Sequence, residues 1–172
     1  MKQLLKKEVS CFCDDPKLKS LANSSKSDLI SDICKGDNCI KTEYPLNECF
    51  IGNINPHHPS NYTIKINNQE EKQRSSGILI STGTGSSAWY YAMGGRKFKR
   101  TKKQLRFRIR EPFTGRLYKV AIKSGKINPN KKLEIISLMH HGFLAIDSIR
   151  TYKLSMNDKI EISLGKPLRV VH

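Results

Sequence analysis

No uninterrupted apolar run in the 172 residues reaches the roughly 18 needed for a membrane-spanning helix. The opening stretch, MKQLLKKEVSCFCDDP, has basic residues but no apolar core, and it reads as neither a secretory signal nor an Arg- and Ser-rich transit peptide. Cysteines are few and confined to the first third: Cys11, Cys13, Cys34, Cys39 and Cys49. An odd number, with none in residues 50–172, does not make a disulfide framework and points to a reducing compartment. Their spacings also miss the paired C-x2-C of zinc sites, and no histidine lies among them, so no metal is expected there. Tryptophan occurs once, as Trp89.

Acid is scarce as well. Lys and Arg number 31 against 15 Asp and Glu, for a formal net charge of +16. Residues 77–110 contain no acid at all, while RKFKRTKKQLRFRIR places nine Lys and Arg in 96–110. A balance of this kind calls for a polyanion, an anionic surface or an acidic partner. In RFRIR, strand periodicity puts Arg106, Arg108 and Arg110 on one face and Phe107 and Ile109 on the other. Such a face can grip carboxylate or phosphate, or it can serve as the charged, aggregation-resistant face of an edge strand.

Residues 1–44 are rich in Lys, Ser, Asp and Asn with scattered Leu and Ile; they read as linker-like and partly disordered, with short helices possible at 2–9 and 27–34. Residues 45–172 form one domain. ECFIGN reads as a strand, and NYTIKI returns through Asn67-Asn68 into EEKQRS as a hairpin. GILIST has the continuous apolar run of a strand covered on both faces. QLRFRIR, RLYKVAIKS, KLEIISLM, GFLAID, TYKLSM, KIEISL and LRVV follow, separated by turn signals. About ten closely spaced strands and one short helix predict an all-β, sandwich-like fold.

The glycine turn in SSGILISTGTGSSAWYYAMGG carries the chemistry. Strand, glycine turn and helix start are how backbone N–H groups are offered to phosphate. Gly83-Thr84-Gly85-Ser86-Ser87-Ala88 fits G-x-G-x-x-G/A, but a Rossmann unit needs a longer helix and a parallel return strand, whereas Gly94-Gly95 stops this helix after two turns. No Lys follows Gly85, which excludes a P-loop. A plain strand-to-helix turn capped by Ser86 or Ser87 accounts for the same residues.

The stretch also resembles the glycine-turn motif of NAD kinases, a strand ending in Ser-Thr-x-Thr-Gly-Ser-Thr-Ala-aromatic. PLNECFIGN resembles that family's Asn-Glu motif, EKQRSSG the segment leading into the turn, and FRIREP a strand of the mitochondrial-type animal members. The likeness spans roughly residues 45–172. It implies phosphorylation of the 2′-hydroxyl of NAD by ATP or polyphosphate to give NADP, with ATP and Mg2+ as implied cofactors, oligomer contacts through the β-rich domain, and a mitochondrial location. By motif, Asn47 and Glu48 would hydrogen-bond the adenosine part of NAD, and Thr84, Gly85, Ser87, Ala88 and Trp89 would line the dinucleotide. Ser76 stands where many members carry a carboxylate.

Departures accompany the match. The family's general base is an Asp in Gly-Gly-Asp-Gly, on an α/β domain that precedes the β-rich one; no such motif occurs here, and Gly94-Gly95 runs into Arg96-Lys97. Asp147-Ser148 replaces the usual Asp-Gly. The expectation is the NAD-binding half of such a kinase, weak or inactive by itself, be it a truncated sequence, a splice form or a genuine half-protein. A missing N-terminal domain or a full-length kinase is the implied partner. The alternatives are a small basic β-domain that binds RNA or DNA through 96–110, and a non-catalytic NAD-binding or assembly partner. His57, His58, His140 and His141 read as loop histidines, and Asp147 as a turn former.

Overall fold

Alternating apolar residues, seen in strand after strand of the sequence, need a second layer to cover them. The computed structural model supplies it with two six-stranded antiparallel sheets laid face to face. It describes residues 25–26, 29–35, 38–115, 120–165 and 168–169, with side chains described within 43–115 and 120–165. The strands in chain order are β1 (Ser25–Lys26), β2 (Leu29–Lys35), β3 (Asn38–Glu43), β4 (Glu48–Asn53), β5 (Ser60–Ile66), β6 (Gln69–Ser75) and β7 (Ile78–Ser81). After a 3-10 turn (Gly85–Ser87) and a one-turn helix α1 (Trp89–Ala92) come β8 (Leu105–Ile109), β9 (Ser124–Ile127), β10 (Leu133–Ser137), β11 (Gly142–Ile146), β12 (Arg150–Leu154), β13 (Asp158–Leu164) and β14 (Leu168–Arg169).

The first sheet runs β3-β2-β13-β10-β5-β6, the second β12-β11-β4-β7-β8-β9, and β1 pairs with β14. The expected all-β sandwich is the fold. Tyr62, Ile64, Leu133, Ile135, Ile160 and Ile162 of the first sheet meet Ile51, Ile78, Ile80, Leu105, Phe107 and Leu144 of the second in one buried core. At about 25 cal/mol per Å² of apolar surface removed from water, this core is the main source of stability. Glu43, at the end of β3, is buried; it pairs with Arg150 at 2.7 Å and accepts a hydrogen bond from the Tyr152 hydroxyl, so it ties one edge of the sandwich to β12.

Strand positions follow the sequence reading closely, down to Asn67 and Asn68 at positive φ in the β5–β6 turn. Two local expectations are corrected. Within the possible helix at 27–34, the described residues 29–34 are strand instead: Leu29–Lys35 pairs along its length with β13 and turns back into β3. Ladder bonds to a preformed strand outweigh weak local helix propensity. Within RLYKVAIKS the segment 120–122 is not a strand either. Ala121 and Ile122 donate their N–H groups to the Glu71 carboxylate, and the Ile122 carbonyl accepts from the Gln73 amide at 2.9 Å. Side chains of β6 satisfy this backbone, and pairing with β8 starts only at Ser124. The helix read at 2–9, Cys11, Cys13 and the end of LRVV lie outside the described residues.

Candidate functional site

All four residues of β7 are buried. Ile78 and Ile80 enter the sandwich core, while Leu79 faces outward under Phe50 and Tyr90. The continuous apolar run has this cause: the chain leaving β7 folds back over the outer face of its own sheet. It does so through the glycine turn. The Gly85 N–H donates to Thr82 Oγ1 at 3.2 Å, the Ala88 N–H to the Gly85 carbonyl at 3.0 Å, and Ala88 interrupts the helical path. Neither serine caps α1. Ser86 Oγ instead donates to the Gly83 carbonyl at 2.8 Å and accepts from the Phe98 N–H at 3.1 Å, clamping the returning segment onto the turn. With only four residues, α1 offers little dipole to a phosphate.

Gly85 has another task. A Cβ at this position would lie 2.3 Å from the Asn47 carbonyl oxygen and 2.8 Å from Glu48 Oε2. Only glycine lets the turn press against the Asn-Glu pair. The Asn47 carbonyl also accepts from the Thr82 N–H at 2.9 Å, and the Leu46 carbonyl from Thr82 Oγ1 at 2.7 Å. Two motifs some 35 residues apart are thereby joined into one structure.

A third segment holds them. Both carboxylate oxygens of Asp147 accept backbone N–H groups: Leu46 at 2.7 Å, Asn47 at 2.7 Å and Glu48 at 3.1 Å. The Asp147 N–H returns a bond to the Glu48 carbonyl at 3.0 Å. Asp147 and Ser148 both take positive φ, so the turn forms without the expected glycine. Reading Asp147 as a turn former was incomplete: it is a clasp on residues 46–48, and charge-assisted bonds of this kind are the stronger class.

Glu48 stands out electrostatically. Its Oε2 is buried and has no hydrogen-bond partner. Burial, and secondly the nearby Asp147 carboxylate, push its carboxyl above the usual range. An acceptor left in that condition suits a ligand hydroxyl or amide donor.

Beside it lies an aromatic shelf. Trp89 stacks on Phe50 at 4.8 Å and 28°, and Phe50 meets Phe143 at 5.8 Å. A cleft of about 460 Å³ opens next to Trp89, bordered by Met93, Arg108, Arg110 and Glu111. Ser76 lies beyond the other end of β7 from the glycine turn, but its hydroxyl donates to Glu111 at 2.5 Å, which links it to the cleft wall. Thr84 is half-buried, and Ser87 and Ala88 are exposed.

A solved structure has this architecture: a yeast NADH kinase crystallised with NADH aligns with a TM-score of 0.73 over 84% of this chain, at 18% identity. The two share a fold. The match takes in 42% of the yeast chain, so the sequence here spans less than half of that protein's length. No protein-family model and no curated protein sequence matches it.

Within this fold the eight positions singled out in the sequence divide into groups. Asn47, Glu48 and Gly85 are in direct contact, and Thr84, Ser87, Ala88 and Trp89 continue from Gly85 along the outer face of the second sheet. Ser76 is joined to the cleft wall through Glu111 and through the Arg110 carbonyl, which accepts from its N–H at 2.9 Å. Phe50 was missed, and Asp147 was read only as a turn former. Phe50 had a signal, since an aromatic alternating outward from Cys49 and Ile51 must be covered by something. Asp147 had a signal only in the Asp-Gly position of the resemblance, and its partners, about 100 residues away, gave none. The loop histidines His57, His58, His140 and His141 are exposed. Among the described residues, no three His, Cys, Asp or Glu side chains converge as ligands for Mg2+ or any other metal ion. No described helix is long and apolar enough to cross a membrane.

Proposed function

We propose that residues 45–172 form the dinucleotide-binding domain of an NAD kinase of the mitochondrial type, with NAD or NADH as ligand. The observation that carries this reading is the packing of Asn47-Glu48 against Gly85, with Glu48 Oε2 left without a hydrogen-bond partner at the turn that leads into α1. In this reading Asn47 and Glu48 bond the adenosine part through amide and carboxylate, and residues 84–88 let the dinucleotide backbone approach closely. Trp89, braced by Phe50, provides a flat apolar wall. The shared fold with a NADH kinase supports it.

Transfer of the ATP γ-phosphate to the ribose 2′-hydroxyl needs a base to take the hydroxyl proton. No Gly-Gly-Asp-Gly occurs in the 172 residues to provide the family's aspartate. General-base catalysis contributes roughly 10²–10⁴-fold, so these residues alone bind the dinucleotide and turn over little or none. A mitochondrial setting, assembly through the β-rich domain and pairing with a kinase's α/β domain belong to the same proposal.

Trp89 is the sole tryptophan and lies at the site, so its fluorescence reports on binding. Titration with NADH should give saturable quenching. Asn47→Ala should weaken binding about tenfold, the effect of one lost buried hydrogen bond, while Lys103→Glu leaves it unchanged. A chain that ignores NADH but binds oligonucleotide with steep salt dependence belongs to the nucleic-acid class instead.

A further inference from the structure

Two of the five cysteines meet across a hairpin. Cys34 lies near the end of β2 and Cys39 near the start of β3, and the two are direct cross-strand partners. One further pair, Lys35 with Asn38, separates them from the turn, and the ladder shifts register just beyond them, between Ile33 and Cys34. Only Gly36-Asp37 lies between Lys35 and Asn38, a dipeptide suited to a two-residue hairpin turn. Directly opposed residues of an antiparallel pair have Cα atoms about 4.5–5.5 Å apart, inside the roughly 4.4–6.8 Å spanned by disulfides.

The register with β13 sets the face. Ile33 is opposite Ile160, which is buried in the core, and Cys34 is opposite Lys159, which forms the outer-face ion pairs with Glu134 and Glu161. Opposed residues share a face, so Cys34 and Cys39 stand on the outer face of the first sheet. β3 is the edge strand of that sheet. A position at an edge and on the outer face is open to a small thiol reagent. Cys49 is the contrast: it is fully buried in the core, and burial pushes its thiol up and leaves it inert.

We propose that Cys34 and Cys39 form a reversible dithiol–disulfide site, oxidised by low-molecular-weight disulfides of the glutathione class and reduced again by the matching thiol. The thiolate of one cysteine attacks the glutathione disulfide, which gives a mixed disulfide and releases one glutathione. The thiolate of the other cysteine attacks the cysteine sulfur of that mixed disulfide. The S–S bond between Cys34 and Cys39 forms, and the second glutathione leaves. Both cysteines are oxidised, the glutathione disulfide is reduced to two thiols, and the two cysteine protons end on them. In a reducing compartment disulfides are mostly transient and redox-sensing, and a single bridge of this kind agrees with an odd cysteine count. The bridge staples the turn end of β3. The other end of that strand is already anchored, since Glu43 is tied to Arg150 and Tyr152 of β12, a few residues before Asn47-Glu48. The inference stands on strand register, whether or not NADH binds beside Trp89.

The test equilibrates the 172-residue chain with mixtures of reduced and oxidised glutathione, blocks free thiols with iodoacetamide, and maps tryptic peptides without reduction. Cleavage after Lys35 puts the two cysteines on separate peptides, 27–35 and 36–41, so a bridge shows as a linked pair. That linked pair is expected, reversed by excess reduced glutathione, with no glutathione on Cys49. The folded chain should hold the bridge about tenfold more strongly than the chain unfolded in urea, as for a short stabilising loop, and oxidation should raise Tm by about 4 °C. Cys34→Ser and Cys39→Ser should each abolish both the linked pair and the rise in Tm. Three results would each overturn the proposal. They are glutathione adducts on Cys34 and Cys39 with no linked pair, linkage of either cysteine chiefly to Cys11 or Cys13, and equal bridging in the folded and the urea-unfolded chain.

Discussion

Each sheet places a like-charged pair directly opposite one another on its outer face, and the two pairs are treated differently. On the first sheet Glu134 faces Glu161, and Lys159 stands between them at 2.8 Å from each. Lys132 adds a bond to Glu161 at 2.7 Å, and Lys65 lies 3.7 Å from Glu134. These cations hold the Glu161 carboxyl below its usual range, while the two carboxylates push the Lys159 ammonium up. On the second sheet Arg106 faces Lys126, and among the described residues no acid pairs with either. That sheet also carries the glycine turn, the aromatic shelf and the unpartnered Glu48. The Glu134–Glu161 pair is compensated by its cations and serves the fold. The second sheet leaves charges and acceptors open at a cost in stability, as binding sites commonly do.

The most damaging change should be Asp147→Ala. It strips the acceptor from three backbone N–H groups, for a loss of about 3 kcal/mol in urea denaturation, and it releases Asn47 and Glu48 from Gly85, so NADH binding should fall with it. Asp147→Asn, which keeps part of the acceptor, should lose less on both counts. If stability fell while NADH affinity held, the clasp would belong to the fold alone.

Mirror-image charge reversals test the comparison itself. Lys159→Glu on the first sheet puts three carboxylates together and should destabilise by about 1 kcal/mol, the upper end for surface ion pairs. Lys126→Glu on the second sheet gives Arg106 a counter-ion and should stabilise by about 0.5 kcal/mol. Equal signs for the two reversals would end the distinction drawn between the faces. High salt should shrink both effects.

The smallest effect concerns pH. Because the folded-state value of Glu48 is raised, its ionisation costs stability as pH climbs through that value, and the cost is absent below the unfolded value. Glu161, with its lowered value, behaves in the opposite way: its contribution is present at neutral pH and lost as pH falls through the folded value. Glu48→Gln should therefore raise Tm slightly near pH 8 and not near pH 4, whereas Glu161→Gln should lower it near neutral pH and not in acid. Added NADH should narrow the Glu48→Gln difference at pH 8 if the ligand supplies the missing donor.

Much of this protein could be read without coordinates. Period-two alternation in NYTIKI, RFRIR and KLEIIS marked strands, and Asn-Asn and Asn-Pro-Asn marked their turns, because these signals act over a few residues. Chain segments whose state depends on distant partners were read wrongly, as at 29–34 and 120–122. The aligned outward arginines of β8 were legible, but their lack of counter-ions was not, since Lys126 and Arg96 join them only across the sheet and from the returning segment.

By itself, the sequence determined the all-β class, the excess of positive charge, the place of the glycine turn and the order of its motifs. Each of these depends on residue type and short-range spacing. The tertiary structure alone decided which of those motifs touch. Gly85 meets Asn47 because β4 and β7 are neighbours in one sheet, and Asp147 meets Asn47 and Glu48 because β11 lies on the other side of β4. Whether a buried carboxylate or an exposed arginine finds a partner depends on the position of every strand around it, and local pattern does not contain that information.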